Sequence, residues 1–101
     1  LMKPSVVLIN TARGGLVNEA VLLHRLATGR IAGAAIDVLL EEPPKQGNLI
    51  LQHQLTNLIV TPHIAWASRE SRQRLLDQLA NNIENFLQQR PFNQITDALH
   101  Q

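Results

Sequence analysis

Ser5-Val6-Val7-Leu8-Ile9-Asn10, running into Thr11-Ala12-Arg13-Gly14-Gly15, decides how the rest of the chain is read. A short, unbroken, β-branched apolar run predicts a strand buried on both faces, as in a parallel sheet. From Asn18 the apolar spacing becomes helical, with Val21, Leu22 and Leu26 on one side, Asn18 as N-cap and Gly29 as the stop. Ile31 to Val38 (Ile-Ala-Gly-Ala-Ala-Ile-Asp-Val) reads as a second buried strand. Strand, helix and strand at this spacing make a right-handed parallel crossover, so the class is α/β.

Working outward, Glu41-Glu42-Pro43-Pro44-Lys45-Gln46-Gly47-Asn48 is a polar connection in which adjacent prolines exclude regular structure. Asn57-Leu58-Ile59-Val60-Thr61 is the third strand, stopped by Pro62, with His63 just past its end. Ser68 caps a helix in which Leu75, Leu76, Leu79, Ile83, Phe86 and Leu87 recur at three and four residue intervals, to about Arg90. This helix reads as a return element against the sheet rather than a dimer zipper. The expectation is a partial Rossmann-type parallel sheet of about three strands with crossover helices, plus a long C-terminal helix. No repeat or low-complexity tract interrupts it.

Composition narrows the function classes. The sequence has 101 residues, enough for one modest core, with 45% hydrophobic and 17% charged residues and a formal net charge of +1. That balance and the lack of a polybasic run argue against nucleic-acid binding, and no apolar run approaches a membrane span. There is no cysteine, so the chemistry is that of oxygen and nitrogen groups and a reducing compartment is the natural setting. No metal site is expected.

Three loops each follow a predicted strand, and each holds a group of catalytic type: Arg13, Glu42 and His63. Parallel strands put all three at one sheet edge, the position where open α/β sheets bind ligands. Taken singly, each is more often a solvated charge or a capping imidazole. Their repetition at equivalent positions favours a site, and Asp37, charged inside a buried strand, is a fourth group that needs a partner. His24, His53 and His100 lack such context and read as surface residues.

Leu8-Ile9-Asn10-Thr11-Ala12-Arg13-Gly14-Gly15-Leu16-Val17, Gly33-Ala34-Ala35-Ile36-Asp37-Val38, Glu42-Pro43 and Thr61-Pro62-His63-Ile64-Ala65 resemble, in order and spacing, the signatures of the D-isomer-specific 2-hydroxyacid dehydrogenases. Pro62-His63-Ile64-Ala65-Trp66-Ala67-Ser68 looks most like the glycerate dehydrogenase and hydroxypyruvate reductase branch. The resemblance implies Arg13, Glu42 and His63 as catalytic residues and an NAD or NADP cofactor. It implies Thr11, Ala12, Arg13, Asp37, His63, Ile64, Ala65 and Trp66 as the cofactor-binding set around the nicotinamide half. Glu42 takes the acid's role because it directly precedes Pro43.

The substrate so implied is a 2-keto or 2-hydroxy acid such as hydroxypyruvate or glyoxylate, in a cytoplasmic protein that forms a homodimer. Residues 1–90 are then the C-terminal part of a nicotinamide-cofactor-binding domain, and 91–101 a tail leading back to an absent substrate domain. The sequence departs from the family in having no G-x-G-x-x-G turn for the pyrophosphate, so these residues by themselves are not expected to turn over. The competing readings are a cofactor-dependent binding module and an inert remnant of the same family.

Overall fold

A computed structural model describes residues 2–95. The chain divides into two compact units, one ending at Ala65 and the other beginning at Trp66.

The first unit holds a parallel sheet of β1 (Val7–Asn10), β2 (Gly33–Ile36) and β3 (Leu58–Val60) in that spatial order. Each strand is shorter than its apolar run predicts, because only the paired stretch counts. Asn10 lies opposite Ile36, and Ile36 opposite Val60, so the three carboxyl ends are level. Between β1 and β2 runs α1 (Glu19–Ala27). Asn18 caps it by accepting from the Val21 N–H. It ends where Gly29, at φ 64°, lets the Arg30 N–H reach the Arg25 carbonyl and the Gly29 N–H the Leu26 carbonyl. A single turn, α2 (Leu49–Gln52), precedes β3 and is capped by Asn48. Four residues carry no readable period, so nothing in the sequence announces it.

The core is one-sided. Leu22, Leu23 and Leu26 of α1, Ile31 and Ile50 pack with Ala34 and Ile36, and Leu8, Leu58 and Val60 border them. Strand residues alternate between faces, so Val7, Ile9 and Ile59 point the other way, and they are 59%, 69% and 64% exposed. The expectation that the first strand is buried on both faces is therefore corrected. Within this unit β1 carries apolar side chains on both faces, and only the Leu8 side meets the core.

The second unit contains α3 (Arg69–Leu87), capped by Ser68, whose hydroxyl accepts from the Ser71 N–H. It closes three residues before the Arg90 boundary read from the sequence. Gln89 takes φ 56° and the Arg90 N–H turns back to the Asn85 carbonyl, a termination that glycine usually marks and here does not. The helix has an apolar stripe, but Leu75, Leu76, Leu79, Ile83 and Phe86 are exposed. Among the described residues, no helix is long and apolar enough to cross a membrane, and no three His, Asp or Glu side chains gather as a metal-ligand set.

Candidate functional site

The level strand ends send three loops out of one sheet edge. After β1 the chain must turn at once, and Asn10 makes it do so. Its side chain is buried, with Oδ1 accepting from the Ala12 N–H at 3.1 Å and Nδ2 donating to the Arg13 carbonyl at 2.9 Å. One side chain thus satisfies two backbone groups that the turn would otherwise orphan. The next residue inward, Gly14, lies so close to the Leu39–Leu40 peptide that a β-carbon there would sit 2.0 Å from the Leu39 carbonyl oxygen. Only glycine permits that approach. Arg13 between them is exposed, and its Nη1 donates to the Ala12 carbonyl at 2.7 Å.

After β2 comes Asp37, 4% exposed. Its carboxylate is satisfied entirely by the loop after β3: Oδ1 accepts from the Thr61 hydroxyl and, at 2.9 Å, from the Ile64 N–H, while Oδ2 accepts from the Ala65 N–H at 2.9 Å. The Thr61 hydroxyl chiefly, and the two amides with it, favour the charged form and hold the carboxyl below its ordinary value against the opposing effect of burial. The loop they secure contains His63 in the left-handed region at φ 55°, with its N–H on the Thr61 carbonyl at 3.0 Å. Such a backbone is costly for a non-glycine residue and persists where its surroundings determine it. Asp37 supplies those surroundings.

The third group joins the second. Glu42 sits past β2 with Oε2 2.6 Å from His63 Nδ1, and its Oε1 accepts from the Leu39 N–H at 2.7 Å. The Leu39 amide first, and His63 second, lower its carboxyl from the ordinary value. A carboxylate only accepts, so Nδ1 must carry the proton of this bond, and Nε2 is then the nitrogen whose protonation can change. Beside the pair a cavity of about 550 Å³ is walled mostly by apolar side chains, among them Leu39, Pro43, Leu51, Val60 and Pro62.

Of the residues named from sequence, Glu42 meets His63 directly, and Asp37 meets Ile64 and Ala65. Thr11, Ala12 and Arg13 are exposed at the end of β1, and Trp66 opens the second unit. Sequence reasoning gave no role to Asn10, Gly14 or Thr61. A polar residue closing a buried strand is a signal for the first, whereas the partners of the other two lie more than twenty residues away. The exposed Thr11–Arg13 turn offers donors and acceptors of the kind that suit the amide and hydroxyl groups of a nicotinamide riboside, whereas the Asp37 carboxylate is buried and spent on Thr61, Ile64 and Ala65. No phosphate-binding glycine turn accompanies them.

Residues 1–65 match the NAD binding domain of D-isomer specific 2-hydroxyacid dehydrogenases. The chain is 58% identical over 92 residues to a glycerate dehydrogenase of Methylorubrum extorquens, covering 91% of this chain and 29% of that protein. To a hydroxypyruvate reductase of Blautia hydrogenotrophica it is 45% identical, covering 91% and 28%. Among solved structures, an acyclic imino acid reductase in complex with NADPH and D-Arg superposes with a TM-score of 0.68 at 42% identity, over 94% of this chain and 29% of that one. A glyoxylate/hydroxypyruvate reductase from Sinorhizobium meliloti in complex with NADP and sulfate gives 0.62 at 29% identity, with the same coverage of 94% and 29%. The chain thus spans under a third of the length of these relatives.

Proposed function

The chain belongs to the D-isomer specific 2-hydroxyacid dehydrogenases, and from that premise we propose that it supplies the catalytic edge of an oxidoreductase acting between NAD or NADP and a 2-keto acid such as hydroxypyruvate or glyoxylate. The observation that carries this reading is the 2.6 Å contact between Glu42 and His63 Nδ1, placed where parallel strands end.

The bound nicotinamide supplies or accepts the hydride at the substrate's C2. In the direction of reduction, His63 is an imidazolium and its Nε2–H donates a proton to the carbonyl oxygen. In the reverse direction the neutral ring accepts the hydroxyl proton at Nε2. Both require the proton on Nδ1 to stay on the ring, donated to Glu42, which remains a carboxylate because its own protonation is held to lower pH. Proton transfer by a group so placed is worth roughly 10²–10⁴ in rate. Arg13 presents a planar fork suited to the substrate's carboxylate or to its polarised keto oxygen, a geometry that lysine does not reproduce.

Around the nicotinamide we assign Thr11, Ala12, Arg13, Asp37 and His63 to Trp66. Residues 1–90 are proposed as the C-terminal part of the cofactor-binding domain, and 91–101 as the return to a substrate domain lying outside this sequence. The relatives' greater length supports that division. The same reading has the protein cytoplasmic and homodimeric, with no membrane or nucleic-acid partner.

The test is reduction of hydroxypyruvate and glyoxylate with NADH and NADPH by the protein at its full natural length. His63→Ala is expected to lower the rate by roughly 10²–10⁴ while leaving the fold intact, and Arg13→Lys to raise KM and lower kcat. Near-normal rates in both variants would remove these residues from the mechanism.

A further inference from the structure

Glu19 reads from sequence as an acid in the first turn of α1, where it complements the helix dipole. Its surroundings assign it more. Oε1 accepts from the Leu40 N–H at 3.0 Å and Oε2 from the Asn48 side-chain amide at 2.7 Å, contacts that reach 21 and 29 residues along the chain. Leu40 and Asn48 stand at the two ends of the segment that contains Glu42. Asn48 turns its own oxygen to the Ile50 N–H at 2.8 Å, so the far end of the segment is fastened to α2. At the near end Gly14, five residues before Glu19, lies against the Leu39–Leu40 peptide. Leu39 in turn gives its N–H to Glu42 at 2.7 Å. One half-buried carboxylate therefore gathers both ends of the Glu42 segment onto the helix that follows the Arg13 turn.

We infer that Glu19 is a positioning residue for the Glu42–His63 pair, fixing the segment from which Glu42 reaches Nδ1 of His63; the inference rests on the dehydrogenase reading of that pair. Glu19 touches neither His63 nor the proposed substrate. It acts through the backbone at Leu40 and the anchor at Asn48.

The decisive variant is Glu19→Gln. It keeps the shape and an acceptor for the Leu40 N–H, but sets an amide N–H₂ against the Asn48 N–H₂. Should the Asn48 amide rotate to accept, it abandons the Ile50 N–H, so one bond is lost either way. Adding Asn48→Asp repairs the mismatch, because the new amide donates to the new carboxylate, whose second oxygen still caps Ile50. In the full-length protein, Glu19→Gln is expected to lower kcat/KM by roughly 10- to 100-fold, as small misplacements of reacting groups do. The His63 Nδ1–H resonance in the proton NMR spectrum is expected to move upfield as its bond to the Glu42 carboxylate loosens. The Glu19→Gln/Asn48→Asp pair should restore both.

A purely structural role lowers the thermal midpoint and leaves the His63 Nδ1–H resonance where it was; that result, or failure of the paired variant to restore it, overturns the inference. If the unmodified protein reduces no 2-keto acid, yet the resonance moves in Glu19→Gln and returns in the pair, the positioning role stands and the dehydrogenase reading falls.

Discussion

The loops after β3 and after β1 leave the same sheet edge and are held in opposite ways. Past β3, two carboxylates from beyond β2 reach across to the turn that carries His63: Asp37 takes Thr61, Ile64 and Ala65, and Glu42 takes the ring. Past β1, the turn is shaped from within by Asn10, and among the described residues the one hydrogen bond of the Arg13 guanidinium is to the neighbouring Ala12 carbonyl. The group proposed to handle a proton is fixed in advance by long-range bonds, as tautomer and direction demand. The group proposed to handle an anion carries its charge in any orientation, and can be left for the ligand to draw in.

The contrast can be broken where the turn after β1 meets the segment after β2 that carries Glu42. Gly14→Ala drives a methyl into the Leu39 carbonyl at a separation no relaxation of a side chain relieves. We expect it to cost about 3 kcal/mol, the upper end for overpacking, measured as a lower urea midpoint with unchanged slope. A loss below about 0.5 kcal/mol would mean that Gly14 does not pack against the Leu39–Leu40 peptide.

Replacing the anchors one at a time sharpens the comparison. Asp37→Asn keeps the volume but loses an acceptor for backbone N–H groups and is expected to lower the thermal midpoint clearly. Arg13→Ala at an exposed position should stay within about 0.5 kcal/mol. Hydrogen exchange at Ile64 and Ala65 should quicken in the first variant only. Equal effects on stability would erase the distinction between a fixed and a ligand-set loop.

The smallest effect is on pH dependence. Asp37 and Glu42 are both held below their ordinary values, so at these sites the folded chain binds protons less readily than the unfolded one. The stability they contribute is present in full above about pH 5, and is lost as pH falls through and below about 4. Urea midpoints should decline over that interval, less steeply in Asp37→Asn, while Arg13→Ala leaves the slope of the decline unaltered. A midpoint independent of pH down to about 3 would contradict the bonds assigned to both carboxylates.

These contrasts bear on what was readable beforehand. The three strands, the caps at Asn18 and Ser68 and the stop at Gly29 are legible because each is a local effect: β-branched runs, a side chain bonding three residues on, a glycine at positive φ. Alignment of Arg13, Glu42 and His63 along one edge follows from parallel topology alone. Asp37 announces itself as a charge that needs a partner, but Thr61, Ile64 and Ala65 cannot be picked out, since they come from the other end of the unit. Glu19 and Asn48 fail for the same reason, each having a complete local explanation as a helix-terminal residue. Coverage of the sheet is not written in β1 either, where Val7 and Leu8 look alike and only one of them meets the core.

That one-sided cover offers a handle for making and handling the 101-residue chain. Strand side chains alternate, so Val7, Ile9 and Ile59 form a row that shares no core contact with Leu8, Ala34, Ile36 and Val60 and lies apart from the loops that carry Arg13, Glu42 and His63. Threonine keeps the branched shape that strands favour while offering water a hydroxyl. In the 101-residue chain that row can therefore be rewritten to keep concentrated samples from clumping, without altering a single group assigned to chemistry.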